Sequence, residues 1–252
     1  MSHPVLTRPD AGWSLSLYPT AGEAGGSFVY SLRPRRTYVP GAPAADPERA
    51  RSEAGRRARS KVRRYCAAHR LNRLGTLTYR GAGCHDPKQA RADVAAFIRD
   101  LRGKLGGAAF PYVWVPEWHK TGHGLHLHFA VGHFIARRLI DQAWGHGFVH
   151  IKRLSDLPVG STSLHEARRA AGYLSKYVSK SFSSTDGPGM AGLHRYELAQ
   201  GFQPPVTRLR GVTSQAVLRD AVAVMRAAPS RFWSSADKDD WQGPPAVWFA
   251  WG

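Results

Sequence analysis

Residues 112–131 read YVWVPEWHKTGHGLHLHFAV. Two apolar runs, Tyr112 to Trp118 and Leu125 to Val131, flank a polar, glycine-containing stretch from His119 to Gly124, a pattern that predicts a β-hairpin. Side chains alternate across a strand. Leu125, Leu127, Phe129 and Val131 therefore form one apolar face, and His126 and His128 share the other. With the turn centred near Thr121–Gly122, Glu117 lies across from His126 on that same face. Two neutral imidazoles and a carboxylate, with coordination positions left open, suit Mg²⁺ or Mn²⁺ acting as a Lewis acid on a phosphate oxygen. His119, His123 and His133 compete with Glu117 for the third place. Seven of the twelve histidines lie between His119 and His150, so a pair of surface histidines is the reading to weigh against a metal site.

The second informative stretch is a helix expected over Leu164 to Ser183, LHEARRAAGYLSKYVSKSFS. Residues three and four apart are neighbours on a helix. Tyr173, Lys176, Tyr177 and Lys180 share one face, with the phenols about one ~5.4 Å turn apart. Leu174 and Val178 lie on another face and can anchor the helix to a sheet. Tyrosine is a poor nucleophile at its free pKa of about 10, and nearby positive charge or a polarised electrophile activates it. The lysines can supply that charge, or stabilise the transition state and the leaving oxygen. Taken alone, the helix reads more readily as an amphipathic element with core tyrosines and solvated lysines. Beside the histidine strand it reads as a nucleophile helix.

The rest of the chain supports an α+β fold, an antiparallel β-sheet with flanking helices. Residues 1–45 are rich in Gly, Pro, Ala and Ser and read as a flexible leader, with a short strand expected around Ser27–Leu32. Glu48 to Arg70 reads as a basic helix with a thin apolar stripe of Val62, Tyr65, Cys66 and Ala68. Its cluster Arg56, Arg57, Arg59, Lys61, Arg63 and Arg64 is dense enough to favour phosphate contact over a merely solvated face. A strand follows at Leu74 to Tyr79. Asp86 and Pro87 then supply the N-cap and first position of another helix. Phe134 to Trp144 reads as helix and Phe148 to Ile151 as strand, and Asp186 to Gly189 breaks the chain. Residues 46–200 thus make a catalytic domain, and 201–252 a C-terminal extension of scattered Trp and Pro. In that extension Trp233, Trp241, Trp248 and Trp251 read more readily as packing residues than as stacking sites for bases.

The charge identifies a class of partner. Thirty-six basic residues against 18 acidic give +18, and a polyanion, nucleic acid first, is the expected partner. The bias of 28 Arg to 8 Lys suits bidentate phosphate contacts, and GC-rich coding produces the same bias. No transmembrane run or signal peptide is expected, and two cysteines argue for a reducing, cytoplasmic setting. Cys66-x-x-His69 with Cys84-His85 has poor spacing for zinc.

The order Leu77-Thr78 strand, His126-Leu127-His128, then Tyr173-x-x-Lys176-Tyr177-x-x-Lys180 resembles the three motifs of the His-hydrophobic-His endonucleases. More narrowly, it is similar to two-tyrosine rolling-circle replication initiators of small phages and plasmids. The resemblance covers about residues 60–200. It implies a palm-like α/β domain and metal-dependent nicking and rejoining of single-stranded origin DNA through a 5′-phosphotyrosine link. The two tyrosines would alternate, one opening the origin and the other cleaving it again after a round of synthesis. Relaxases for conjugation place their tyrosine before the histidines, the reverse of the order here. With no G-x-x-x-x-G-K-[ST] loop, a host helicase as well as a polymerase is expected to assist. A single-strand transposase with the same chemistry and a non-catalytic basic DNA-binding protein are the rival readings.

Overall fold

The computed structural model describes residues 11–30, 46–152, 159–183 and 195–252, with the backbone alone over 179–183. The first elements are β1 (Gly12–Tyr18), β2 (Glu23–Val29), α1 (Pro47–Ala68), β3 (Arg73–Tyr79), α2 (Pro87–Lys104), β4 (Tyr112–Trp118) and β5 (Leu125–Val131). Next come α3 (Arg137–Trp144), β6 (Gly147–Lys152), α4 (Ser163–Ser183), β7 (Glu197–Leu198), β8 (Thr207–Gly211), α5 (Ser214–Met225), β9 (Arg231–Ser234) and β10 (Ala246–Ala250). The fold is α+β, with two antiparallel five-stranded sheets and, among the described residues, five α-helices. The chain divides into two units: Ala44–Gln203, and Met1–Pro43 with Pro204–Gly252.

In the Ala44–Gln203 unit the strand order is β6-β3-β5-β4-β7. Both long helices entering this unit start as the sequence dictates. The Asp46 carboxylate accepts from the Arg49 N–H at 2.9 Å and that of Asp86 from the Lys88 N–H at 2.8 Å, each ahead of a proline in the first turn. The β4–β5 hairpin closes with the His119 N–H donating to the Gly124 carbonyl at 2.8 Å. Gly124 has φ of 84°, and a side chain there would overlap the Cys84 carbonyl, so glycine is required on both counts. At Gly75 the requirement is space, because the ring of its partner Phe129 occupies the volume a Cβ would take.

Alternation gives the sheet two different buried faces. Leu77, Trp114, Leu125, Leu127, Phe129 and Val131 pack against Val94, Phe97, Ile98 and Leu101 of α2 and Ile140 and Trp144 of α3. On the reverse face Leu74, Val113, Val115 and Ala130 meet Val62, Tyr65 and Cys66 of α1 and Ala170, Ala171, Leu174 and Val178 of α4. The sheet is therefore sandwiched, with α1 and α4 side by side over the face that carries the histidines. Cys66 and Cys84 are buried in cores on opposite sides of the sheet, which rules out a shared zinc site.

Three expectations need correction. Residues 12–29, read as part of a flexible leader, are two antiparallel strands, with β2 ending at Val29. They join β8, β9 and β10 in a second sheet of order β8-β1-β2-β10-β9. Its core is Leu15, Leu17, Ala24, Val217, Ala221, Val247, Phe249 and Trp251, so the C-terminal stretch is a structural half of this unit. Trp251 is buried there and donates its indole N–H to the Ala227 carbonyl at 2.7 Å. The pairing joins residues nearly the whole chain apart, which local periodicity does not reveal. Helix α3 begins at Arg137, because Ala136 stays extended at φ −59° and ψ 130°. The break at 186–189 lies outside the described residues. Among the described residues no helix is long and apolar enough to cross a membrane.

Leu174 is 0% exposed between α1 and the sheet. Leu174→Ala should cost about 2–5 kcal/mol of stability, read as a lower midpoint in urea with the folded baseline unchanged.

Candidate active site

The register of the central strands builds the site. Glu117 pairs with His126, Val115 with His128, and on the other side of β5 Thr78 pairs with His126 and Thr76 with His128. His128 is 6% exposed and fully engaged: Nε2 lies 2.9 Å from Glu117 Oε2 and Nδ1 2.9 Å from Thr76 Oγ1. A carboxylate only accepts, so Nε2 carries the hydrogen toward Glu117. In the neutral ring Nδ1 then accepts from the Thr76 hydroxyl. Thr76 was not singled out in the sequence, although its place one residue before Leu77 puts it on the histidine face.

His126 differs. Its ring stacks on His119 with centroids 4.2 Å apart and planes 28° from parallel, while its Nε2 is buried with no hydrogen-bond partner among the described residues. Burial pushes its pKa from 6.5 down to about 4, and the neighbouring His119, His128 and His123 push the same way against Glu117. The ring is thus held neutral, the form that ligates metals. Of the competing histidines, His123 turns its Nε2 to the Tyr79 carbonyl at 3.0 Å, and His133 packs edge-on to Phe110. Among the described residues no three His, Cys, Asp or Glu side chains already converge as a ligand cage. The donor set from the sequence would need to rearrange to hold an ion: His126 offers a buried imidazole nitrogen with no partner among the described residues, whereas His128 Nε2 and Glu117 would have to exchange their mutual hydrogen bond for the metal.

Helix α4 brings both phenols onto this face. The Tyr177 ring stacks on His128 with centroids 3.7 Å apart and planes 15° from parallel. Tyr173 stands nearly perpendicular to His128 at 6.2 Å. The Tyr177 hydroxyl donates to the Tyr173 hydroxyl at 2.6 Å. Burial raises the pKa of Tyr177, and the hydrogen bond to Tyr173 and the charges of Tyr173 and Glu117 raise it further. The cation beside this pair is one the sequence did not single out: Lys152 of β6, whose Nζ lies 4.5 Å over the Tyr173 ring. Its alternation with Phe148 and His150 puts it on the histidine face, but only the pairing of β6 with β3 brings it to the tyrosines. Lys176 is exposed, and the Lys180 side chain lies outside the described residues.

The basic cluster lies along α1, the neighbour of α4. Arg56, Arg57 and Lys61 are exposed, and Arg59, Arg63 and Arg64 are partly covered. Arg56 and Arg57 reach the Glu53 carboxylate at 3.9 and 3.6 Å. Exposed pairs of this kind contribute little, so a phosphate can replace Glu53 at small cost.

A depressed histidine pKa makes acid destabilising. In metal-free protein the unfolded chain protonates this ring near 6.5 and the folded chain only near 4. His126 should therefore lower stability as pH falls from about 6.5 to about 4 and have no effect above that window. Urea midpoints across this range should fall less steeply with acid in His126→Gln than in wild type; parallel curves would remove His126 as the cause.

Comparison with known proteins gives one finding. No curated protein and no solved structure matches this chain. Residues 72–182, the stretch from β3 through the tyrosine helix, match the model of a family described as replication-associated protein, of the ORF2 type.

Proposed function

We propose that this protein initiates rolling-circle replication of a plasmid or phage by nicking and rejoining single-stranded origin DNA, with Tyr173 as the first nucleophile and Tyr177 as the second. The observation that carries the reading is the meeting of Tyr173 and Tyr177 with the His128–Glu117 pair, groups brought together from three separate segments of the chain. The family match over residues 72–182 and the net charge of +18 support a replication role on DNA.

The asymmetry between the phenols supports the order. Tyr177 donates a hydrogen bond to the Tyr173 oxygen and the Lys152 ammonium lies over the Tyr173 ring, so the attack by Tyr173 draws on both contacts. Tyr173 loses its proton to solvent, and its oxygen attacks phosphorus. The bond from phosphorus to the 3′ oxygen breaks, and the departing oxygen takes up a proton as a free 3′-OH. The 5′ end stays on Tyr173 as a phosphodiester, so the bond energy is conserved and a 3′-OH can reverse the step without a nucleotide cofactor. Tyr177, one turn along α4, then repeats the attack on the regenerated origin. Mg²⁺ or Mn²⁺, held by His126, His128 and Glu117, would supply Lewis-acid polarisation of the phosphate. Single-stranded DNA reaches this face with phosphate contacts from the α1 cluster. Host helicase and polymerase remain the expected partners, because the chain carries no phosphate-binding loop of its own.

The test is incubation of end-labelled single-stranded DNA from the replicon carrying the gene, with Mn²⁺ or EDTA, followed by denaturing gels. Wild type should give a metal-dependent protein–DNA adduct. Tyr173→Phe should abolish the first-round adduct, and Tyr177→Phe should slow it about 10-fold through loss of one charge-assisted hydrogen bond. An adduct that survives in the double variant, or none in wild type on a verified origin, would reject the reading.

A further inference from the structure

We infer that a cavity adjoining the tyrosines binds one nucleobase of the substrate strand, an inference that rests on single-stranded DNA being the substrate. The cavity holds about 430 Å³, within the range of small-ligand sites, and its wall includes Asn72, Arg73, Phe134, Ile151, Lys152 and Glu166. It adjoins the candidate active site through Lys152, which lines the cavity and also lies over the Tyr173 ring.

The chemistry of the wall selects a base over a phosphate. A nucleobase needs apolar surface for its faces and hydrogen-bonding groups for its edge. Phe134 is 74% exposed at this wall, and the Arg73 guanidinium carbon lies 5.9 Å from its ring centroid. An exposed aromatic with a cation over it is a stacking platform that an incoming base can share. Asn72 supplies the edge. Its Nδ2 donates to a Glu166 carboxylate oxygen, which fixes the amide orientation because an ionised carboxylate cannot donate. That leaves Asn72 Oδ1 as an acceptor, and it is buried with no hydrogen-bond partner among the described residues. A buried acceptor without a donor is costly, so a small turn of Asn72 that opens Oδ1 to the cavity it lines gains an N–H of the ligand. Every DNA base carries an N–H donor on its Watson–Crick edge, whereas the deoxyribose-phosphate backbone carries none. The Glu166 charge further disfavours a phosphate inside the cavity. Arg73 and Lys152, cations on the same wall, suit the phosphates that flank the base.

The test measures binding separately from cleavage. Fluorescein-labelled short single strands of deoxyadenosine, deoxycytidine or thymidine, and an abasic strand of equal length, are titrated by anisotropy. The full-length Tyr173→Phe/Tyr177→Phe protein is used with and without Phe134→Ala. A base-bearing strand should bind more tightly than the abasic one, and Phe134→Ala should weaken the base-bearing strand about 5- to 100-fold while leaving the abasic strand unchanged. Phe134→Trp should restore the preference, which separates stacking from misfolding. Equal effects of Phe134→Ala on both strands, or no preference for bases, would overturn the cavity's role. A tyrosine-dependent adduct in wild type alongside that result would leave the replication reading standing. A Phe134-dependent base preference without any adduct would do the reverse.

Discussion

A sheet buried on both faces must pair the polar side chains it carries inward or keep them neutral, and this constraint organises the Ala44–Gln203 unit. Strand β5 puts Leu125, Leu127, Phe129 and Val131 into one core and His126 and His128 under helices on the other side. Imidazoles in such a place are tolerated only when bonded or kept neutral. His128 takes the first course through Glu117 and Thr76; His126 takes the second and keeps one nitrogen unpartnered among the described residues. The same burial that anchors α4 through Leu174 and Val178 presents Tyr173 and Tyr177 to these rings. Packing and chemistry therefore share one surface, and α4 cannot shift without moving both.

The tyrosine pair shows how two identical side chains acquire different surroundings. Tyr177 lies flat on an imidazole and donates a hydrogen bond to its neighbour, while Tyr173 accepts it and has an ammonium over its ring. Low local dielectric strengthens the hydrogen bond between them. Lys152 also belongs to the wall of the neighbouring cavity, so a strand held there lies against the nucleophile. On the proposed function, recognition and attack would be coupled through one side chain.

The basic surface answers a different requirement. Charges such as Arg56 and Arg57 are satisfied locally by Glu53 in the free protein. Such exposed pairs exchange readily for phosphate, so they favour encounter with a polyanion without fixing its sequence. Discrimination between strands would come from places where a base loses water against a shaped wall, as at Phe134 and Asn72.

The sequence by itself determined the β4–β5 hairpin, including its strand limits, the pairing of Glu117 with His126 and the helical face joining Tyr173 to Tyr177. These depend on periods of two and 3.6 residues and on local turn chemistry, which neighbouring residues encode directly. The cap at Asp86 was legible for the same reason, because a cap is a contact within one turn. Tertiary structure alone decided the rest. The pairing of β1 and β2 with β8 and β10, the arrival of Lys152 at Tyr173, and the choice of Thr76 to hold His128 all depend on which strands lie side by side. That order follows from burying both sheet faces at once, a global condition that leaves no periodic mark on any single stretch of chain.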